Sequence, residues 1–214
     1  MEGAGAVRVG RFVLGPMQTN TYLVWSAGSL LAMVIDPGEP GMAPVLSEAE
    51  RLKLSIRYVV NTHGHADHIL GNGALAAKTG AVLAVGAADA GMLAEPAGNL
   101  SLWLGIRVAS PPPDLLLEKG DRLSLEDVEF AVRSTPGHTP GGIALVGPGM
   151  VFAGDTLFAG GIGRTDLPGG DERQLLESIW RELMPLPDET KVYPGHGPGT
   201  TIGAERIGNP CLAG

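Results

Sequence analysis

"NTHGHADH", running from Asn61 to His68, places three of the chain's five histidines within six residues, with an aspartate among them. A lone histidine in a loop is ordinarily solvated or a satisfied core residue. Three imidazoles and a carboxylate on one short turn are strained or purposeless unless something sits between them. Imidazole and carboxylate are the usual ligands of zinc, iron or manganese. His63 and His65 stand two apart in extended chain, so their side chains can point the same way. Asp67 and His68 follow at the start of a predicted helix, where a turn can aim them at a different point. One segment can thus serve two metals about 3.5 Å apart, the separation used in two-metal hydrolysis.

The remaining histidines repeat the pattern. His138 follows a predicted strand ending at Thr135 through Pro-Gly, and His196 follows one ending at Tyr193 through Pro-Gly. Asp155 follows a strand ending at Ala153 through Gly154. Four strand ends therefore carry His or Asp just past a turn, and no histidine is left over. Glycine neighbours (Gly64, Gly137, Gly195) permit unusual backbone angles and close approach.

The elements around these turns are read from apolar periodicity. Strands are expected at Val7–Leu14, Asn20–Ser26 and "LLAMVI" (Leu30 to Ile35), then a helix over Met42–Leu54 and a strand over Ile56–Thr62. A helix is predicted from Asp67 to Lys78, a short strand at Ala81–Val85 and a short helix at Ala87–Ala94. Between Glu95 and Gly120 the pattern is lost, and this stretch, with Trp103 and a triple proline, reads as a long surface loop. A hairpin follows over 122–135, then strands in "GGIALVG" and "MVFAGDT". The last elements are an amphipathic helix over Asp171–Leu186, a strand into "YPGHG", and a short helix in "TTIGAERIGN". Strands precede helices in both halves, which predicts an α/β sandwich of mixed sheets covered by helices.

Composition narrows the function. A chain of 214 residues with 44% hydrophobic and 18% charged residues is expected to form one globular domain. Its net charge of −8 argues against a nucleic-acid partner, which needs a basic face. The single cysteine, Cys211, rules out an internal disulfide framework. The absence of a signal-like h-region, and of any apolar run long enough to cross a membrane, completes the expectation of a cytoplasmic protein.

These motifs resemble those of the metallo-β-lactamase superfamily. "THGHADH" is similar to its THxHxDH signature, and "PGHTPGG", "FAGDTLF" and "YPGHGP" to its later ligand turns in the same order. The likeness extends from "GPMQTNTYLV" to "TTIGAERIGNP" and is nearest to short glyoxalase II-type (hydroxyacylglutathione hydrolase-like) enzymes, through "GDTLFAGGIGRTDLPGGD". It implies an αββα sandwich of two mixed sheets flanked by helices. It also implies two divalent ions, zinc first, with iron or manganese as alternatives. One ion falls to His63, His65 and His138, the other to Asp67, His68 and His196, with Asp155 bridging.

On the same resemblance Asp67 orients the hydroxide and takes its proton, and Asp36 in "VIDPG" either orients a ligand histidine or simply builds the turn before Pro37. Arg164 either binds a substrate carboxylate or pairs with Asp166. Only 18 residues follow His196, which leaves no room for the C-terminal extension that holds glutathione in longer relatives. The expected activity is thioester hydrolysis by a bridging hydroxide. The alternative is a persulfide dioxygenase with one iron on His63, His138 and Asp155.

Overall fold

Alternation along the strands sorts their apolar side chains onto two faces, and this division builds the layers. The computed structural model describes residues 5–213. In the first half, β1 (Val7–Leu14), β2 (Thr19–Ser26), β3 (Leu31–Ile35), β4 (Ser55–Asn61), β5 (Val82–Gly86) and β6 (Leu115–Leu117) lie side by side in that order. The pairing is antiparallel from β1 to β3 and parallel from β3 to β6. Helices α1 (Ala43–Arg51), α2 (Ala66–Ile69), α3 (Asn72–Thr79) and α4 (Ala90–Ala94) fall between these strands.

The second half contributes β7 (Arg122–Ser124), β8 (Glu129–Ser134), β9 (Ile143–Gly147), β10 (Met150–Gly154), β11 (Leu157–Phe158) and β12 (Gly161–Ile162). After α5 (Glu172–Ser178) come β13 (Lys191–Pro194), β14 (Thr200–Thr201) and α6 (Ile202–Gly208). Its sheet runs β14-β13-β10-β9-β8-β7, with β11 and β12 paired as a separate ribbon.

Tyr22, Val24, Met33 and Ile35 of the first sheet meet Phe130, Val132, Leu145 and Phe152 of the second in one buried cluster. The alternate residues Leu23, Ala32 and Val34 face outward onto Val45, Ile69 and Leu75 of the first helices. On the far side, Val151, Ala153 and Val192 face Leu175, Ile179 and Ile202. The layers are helices, sheet, sheet, helices, as the sequence patterns imply. Tyr22 spans the middle: its ring meets Phe152 edge-on at 5.3 Å, and its hydroxyl donates to the Pro194 carbonyl at 2.6 Å. Among the described residues no helix is long and apolar enough to cross a membrane.

Four expectations need correction. The helix predicted over 67–78 breaks after Ile69 into α2 and α3. Gly71 causes the break: its N–H donates to the Pro37 carbonyl at 2.9 Å, and a Cβ there would come within 2.4 Å of Met42 Cγ. The stretch 95–120 is not structureless. It holds a 3₁₀ turn at Ser101–Leu104 and the short strand β6, which prolines and charges conceal in the sequence. The helix predicted over 171–186 is α-helical only to Ser178 and continues as a wider π turn over Ile179–Leu183. The helix predicted over 42–54 also stops early, at Arg51, because Lys53 enters the left-handed region (φ 56°).

Phe152→Ala should remove the centre of the inter-sheet cluster and cost about 3–5 kcal/mol of stability. Urea unfolding followed by circular dichroism measures this; a loss below about 1 kcal/mol would mean that the sheets are held together elsewhere.

Candidate metal centre

β8 is antiparallel to β9, β9 to β10, and β10 runs parallel to β13. Strands β8, β10 and β13 therefore point the same way and end on one edge of their sheet. The turns after them carry His138, Asp155 and His196. The turn after β4 of the other sheet carries His63, His65, Asp67 and His68. All seven sequence-predicted residues converge.

The ligand atoms of His63, His65 and His138 lie within 4.8 Å of one another, as do those of Asp67, His68 and His196, and those of His63, His68 and Asp155. Asp155 stands between the two outer groups. Its Oδ2 is 3.7 Å from His138 Nε2 and 3.6 Å from His196 Nε2, and its Oδ1 is 3.5 Å from His68 Nε2. Asp67 Oδ2 is 3.3 Å from His68 Nε2 and 3.1 Å from His196 Nε2.

The donor set fits a divalent cation. His63 Nε2, His65 Nε2, His138 Nε2 and Asp155 Oδ1 are all buried without a hydrogen-bond partner. Buried polar atoms are nearly always satisfied, so four such orphans in one cluster call for a ligand that accepts lone pairs. The surrounding bonds present those lone pairs. His138 Nδ1 donates to the Arg164 carbonyl at 2.7 Å, which leaves Nε2 unprotonated in the neutral ring. Thr62 Oγ1 donates to Asp36 Oδ2 at 2.7 Å and so accepts from His63 Nδ1 at 3.1 Å. Asp36 Oδ2 also lies 3.1 Å from His68 Nδ1, while its Oδ1 accepts from Thr62 N–H at 2.7 Å. One carboxylate thus orients histidines of both groups.

Two devices bring the turns together. At Gly195 a Cβ would come within 2.1 Å of Asp155 Oδ1 and 2.7 Å of His68 Cε1, so only glycine lets this turn approach. Asp89, fully buried, accepts from Gly64 N–H at 2.9 Å and Thr139 Oγ1 at 2.7 Å through Oδ2, and from Gly141 N–H at 2.6 Å through Oδ1. It ties the loop of His63 and His65 to the turn of His138. Sequence reading missed Asp89, because an aspartate at the start of a short helix looks like an ordinary helix opening.

Charge differs between the groups. Burial, reinforced by His138 and His68, pushes His65 down to about 3, and burial with the neighbouring imidazoles holds His63 well below its ordinary value. For His68 burial opposes the charged form, but Asp67, Asp155 and Asp36 outweigh it and raise its pKa. Burial acts against ionised Asp67 too, yet His68 and His196 hold it well below the usual carboxylate range.

An open cavity of about 440 Å³ lies over the cluster, with His65, Asp67, His138, Asp155 and His196 along its floor. Arg164 lines it, but the guanidinium is forked onto Asp166 at 2.8 and 2.7 Å.

Asp36→Asn keeps an acceptor for Thr62 but removes the charge facing His68. Metal affinity, measured by competition with a chromogenic chelator, should fall about 10–100-fold while the far-ultraviolet circular dichroism is retained. Unchanged affinity would reduce Asp36 to a turn former.

A profile of the Metallo-beta-lactamase superfamily matches residues 14–196. Hydroxyacylglutathione hydrolase GloC of Haemophilus influenzae is 35% identical over 199 residues, covering 91% of this chain and 93% of its own. Among solved structures, BLEG-1 B3 metallo-beta-lactamase superposes with a TM-score of 0.91 at 36% identity, over 97% of this chain and 100% of its own. TTHA1623, solved in a di-iron-bound form, gives 0.84 at 36% identity, over 94% and 99%. The match to the profile spans most of the chain and every residue of the cluster, and the chain belongs to the metallo-β-lactamase superfamily.

Proposed function

We propose that the chain is a two-metal hydrolase of acyl thioesters. The observation that carries this reading is the pair of complete ligand groups on either side of Asp155. His63, His65 and His138 would hold one divalent ion, and Asp67, His68 and His196 the other. Zinc suits these nitrogen and oxygen donors, and so do iron and manganese. When bound, such a pair supplies hydroxide from water near neutral pH and polarises a carbonyl.

The chain's own residues do the rest. Thr19 Oγ1 donates to Asp67 Oδ2 at 3.0 Å and fixes this carboxylate at the cavity floor. Asp67 orients the attacking water and accepts its proton. Because the imidazoles beside it favour its ionised form, it passes that proton on. The new bond joins water oxygen to the acyl carbon, the carbon–sulfur bond breaks, and the thiolate leaves with the proton. The apolar walls above the floor limit the entry of bulk water. The likeness to GloC supports a thioester as the substrate class. The complete second ligand group favours two metals over one, and the metal count decides between the hydrolase and a one-iron oxygenase.

Protein purified without added metal should contain two equivalents per chain and release thiol from S-lactoylglutathione or a simpler thioester without consuming oxygen. His138→Ala should lose one equivalent and most of the activity. Asp67→Asn should lower kcat about 10²-fold or more. One iron per chain with oxygen uptake on a persulfide would overturn the proposal in favour of a dioxygenase, and turnover of a chromogenic cephalosporin alone would overturn it in favour of a lactamase.

A further inference from the structure

The walls of the cavity are unlike its floor. Met17 comes from the β1–β2 turn, Trp103 and Leu104 from the 3₁₀ turn, Phe158 and Ile162 from the β11–β12 ribbon, and Leu167 from the loop beyond it. Several of these are left in solvent: Trp103 is 67% exposed, Met17 48% and Leu104 40%. Leu102 and Ile106, on the same stretch of chain, are exposed as well. Exposed aromatic and aliphatic area gathered around a functional cavity, rather than scattered singly, marks a surface that a ligand covers.

The charges point the same way. Arg164 is the one arginine or lysine among the residues lining the cavity, and Asp166 holds one edge of its guanidinium through Nε and Nη2. The two carboxylates of the floor, Asp67 and Asp155, are committed to the proposed metal centre. A charged acyl group would meet walls that offer it only the remaining end of Arg164. An uncharged apolar chain meets no such obstacle and gains from every methylene that leaves water.

Taking the thioesterase reading as its basis, we propose that the cavity selects thioesters with a medium-length apolar acyl chain, with Trp103 and Met17 closing over that chain. Trp103 and Met17 are then specificity-determining residues, and the lip formed by the 3₁₀ turn is the part of the fold that sets chain length.

The metal-loaded protein can be assayed with N-acetylcysteamine thioesters from acetyl to octanoyl, alongside S-lactoylglutathione. The expected result is a kcat/KM that rises about three- to four-fold per methylene, as roughly 0.8 kcal/mol per buried CH₂ implies, until the cavity is filled. In Trp103→Ala the octanoyl-to-acetyl ratio should fall about ten-fold; the side chain is exposed, so the variant should fold. A flat chain-length series would overturn the proposal while leaving the thioesterase reading intact. Binding separates the converse failure. Octyl N-acetylcysteamine thioether, which cannot be hydrolysed, should change the tryptophan fluorescence of the wild type and lose that signal in Trp103→Ala. If it does so while no thioester is turned over, the thioesterase reading falls and the apolar site stands. If it does not bind, the apolar site falls.

Discussion

Five imidazole rings and two carboxylates occupy one largely hidden volume, and the rest of the structure answers to that crowding. His63 lies 4.2 Å from His68 and 4.8 Å from His138, centroid to centroid, while His65 lies 4.6 Å from His138. No sequence of strand and helix propensities favours such an assembly. Three of the rings are held from behind by the scaffold: the Arg164 carbonyl behind His138, Thr62 behind His63, Asp36 behind His68. The Asn61 amide adds a further tether by donating to the His68 carbonyl at 2.8 Å and pairing with Asn72, which is where the break at Gly71 places it. The broken helix thus belongs to the site as much as to the fold.

The sandwich supplies the coordinates for this assembly. Two sheets packed through Tyr22, Phe130 and Phe152 bring the edge where β8, β10 and β13 end against the end of β4. Residues on rigid strand ends are placed more reproducibly than residues inside long loops. The walls of the cavity come instead from loops, the 3₁₀ turn and the small ribbon, which is the usual division between a fixed chemical centre and variable recognition.

What the sequence made legible follows from this division. Metal-ligand chemistry is carried by residue type, so five histidines beside two aspartates at strand ends were readable without coordinates, and so were most of the strands that carry them. The parts that escaped depend on contacts rather than types. Asp89 is unremarkable until its carboxylate is seen joining Gly64, Thr139 and Gly141. The strand β6 is three residues long inside a proline-rich stretch, and its pairing with β5 is a tertiary event that local periodicity cannot announce. Arg164 looked like a free cation or a salt-bridge partner with equal justice. The structure places its guanidinium on Asp166 and gives its backbone carbonyl to His138, a use that no side-chain pattern reveals.

The two ligand groups also differ in what a cation must overcome. Metal binding requires neutral imidazole. Burial already keeps His63 and His65 neutral, His65 down to about 3, so protons do not compete for them near neutral pH. His68 is the opposite case, because Asp67, Asp155 and Asp36 together outweigh its burial and favour the protonated ring. A cation entering beside His68 therefore has to displace a proton that those carboxylates hold, whereas one entering beside His63 and His65 does not. Falling pH strengthens that competition at the group of Asp67, His68 and His196 first. The carboxylates that would attract a divalent ion beside His68 thus also favour a proton there, whereas burial among other imidazoles keeps His63 and His65 free of one.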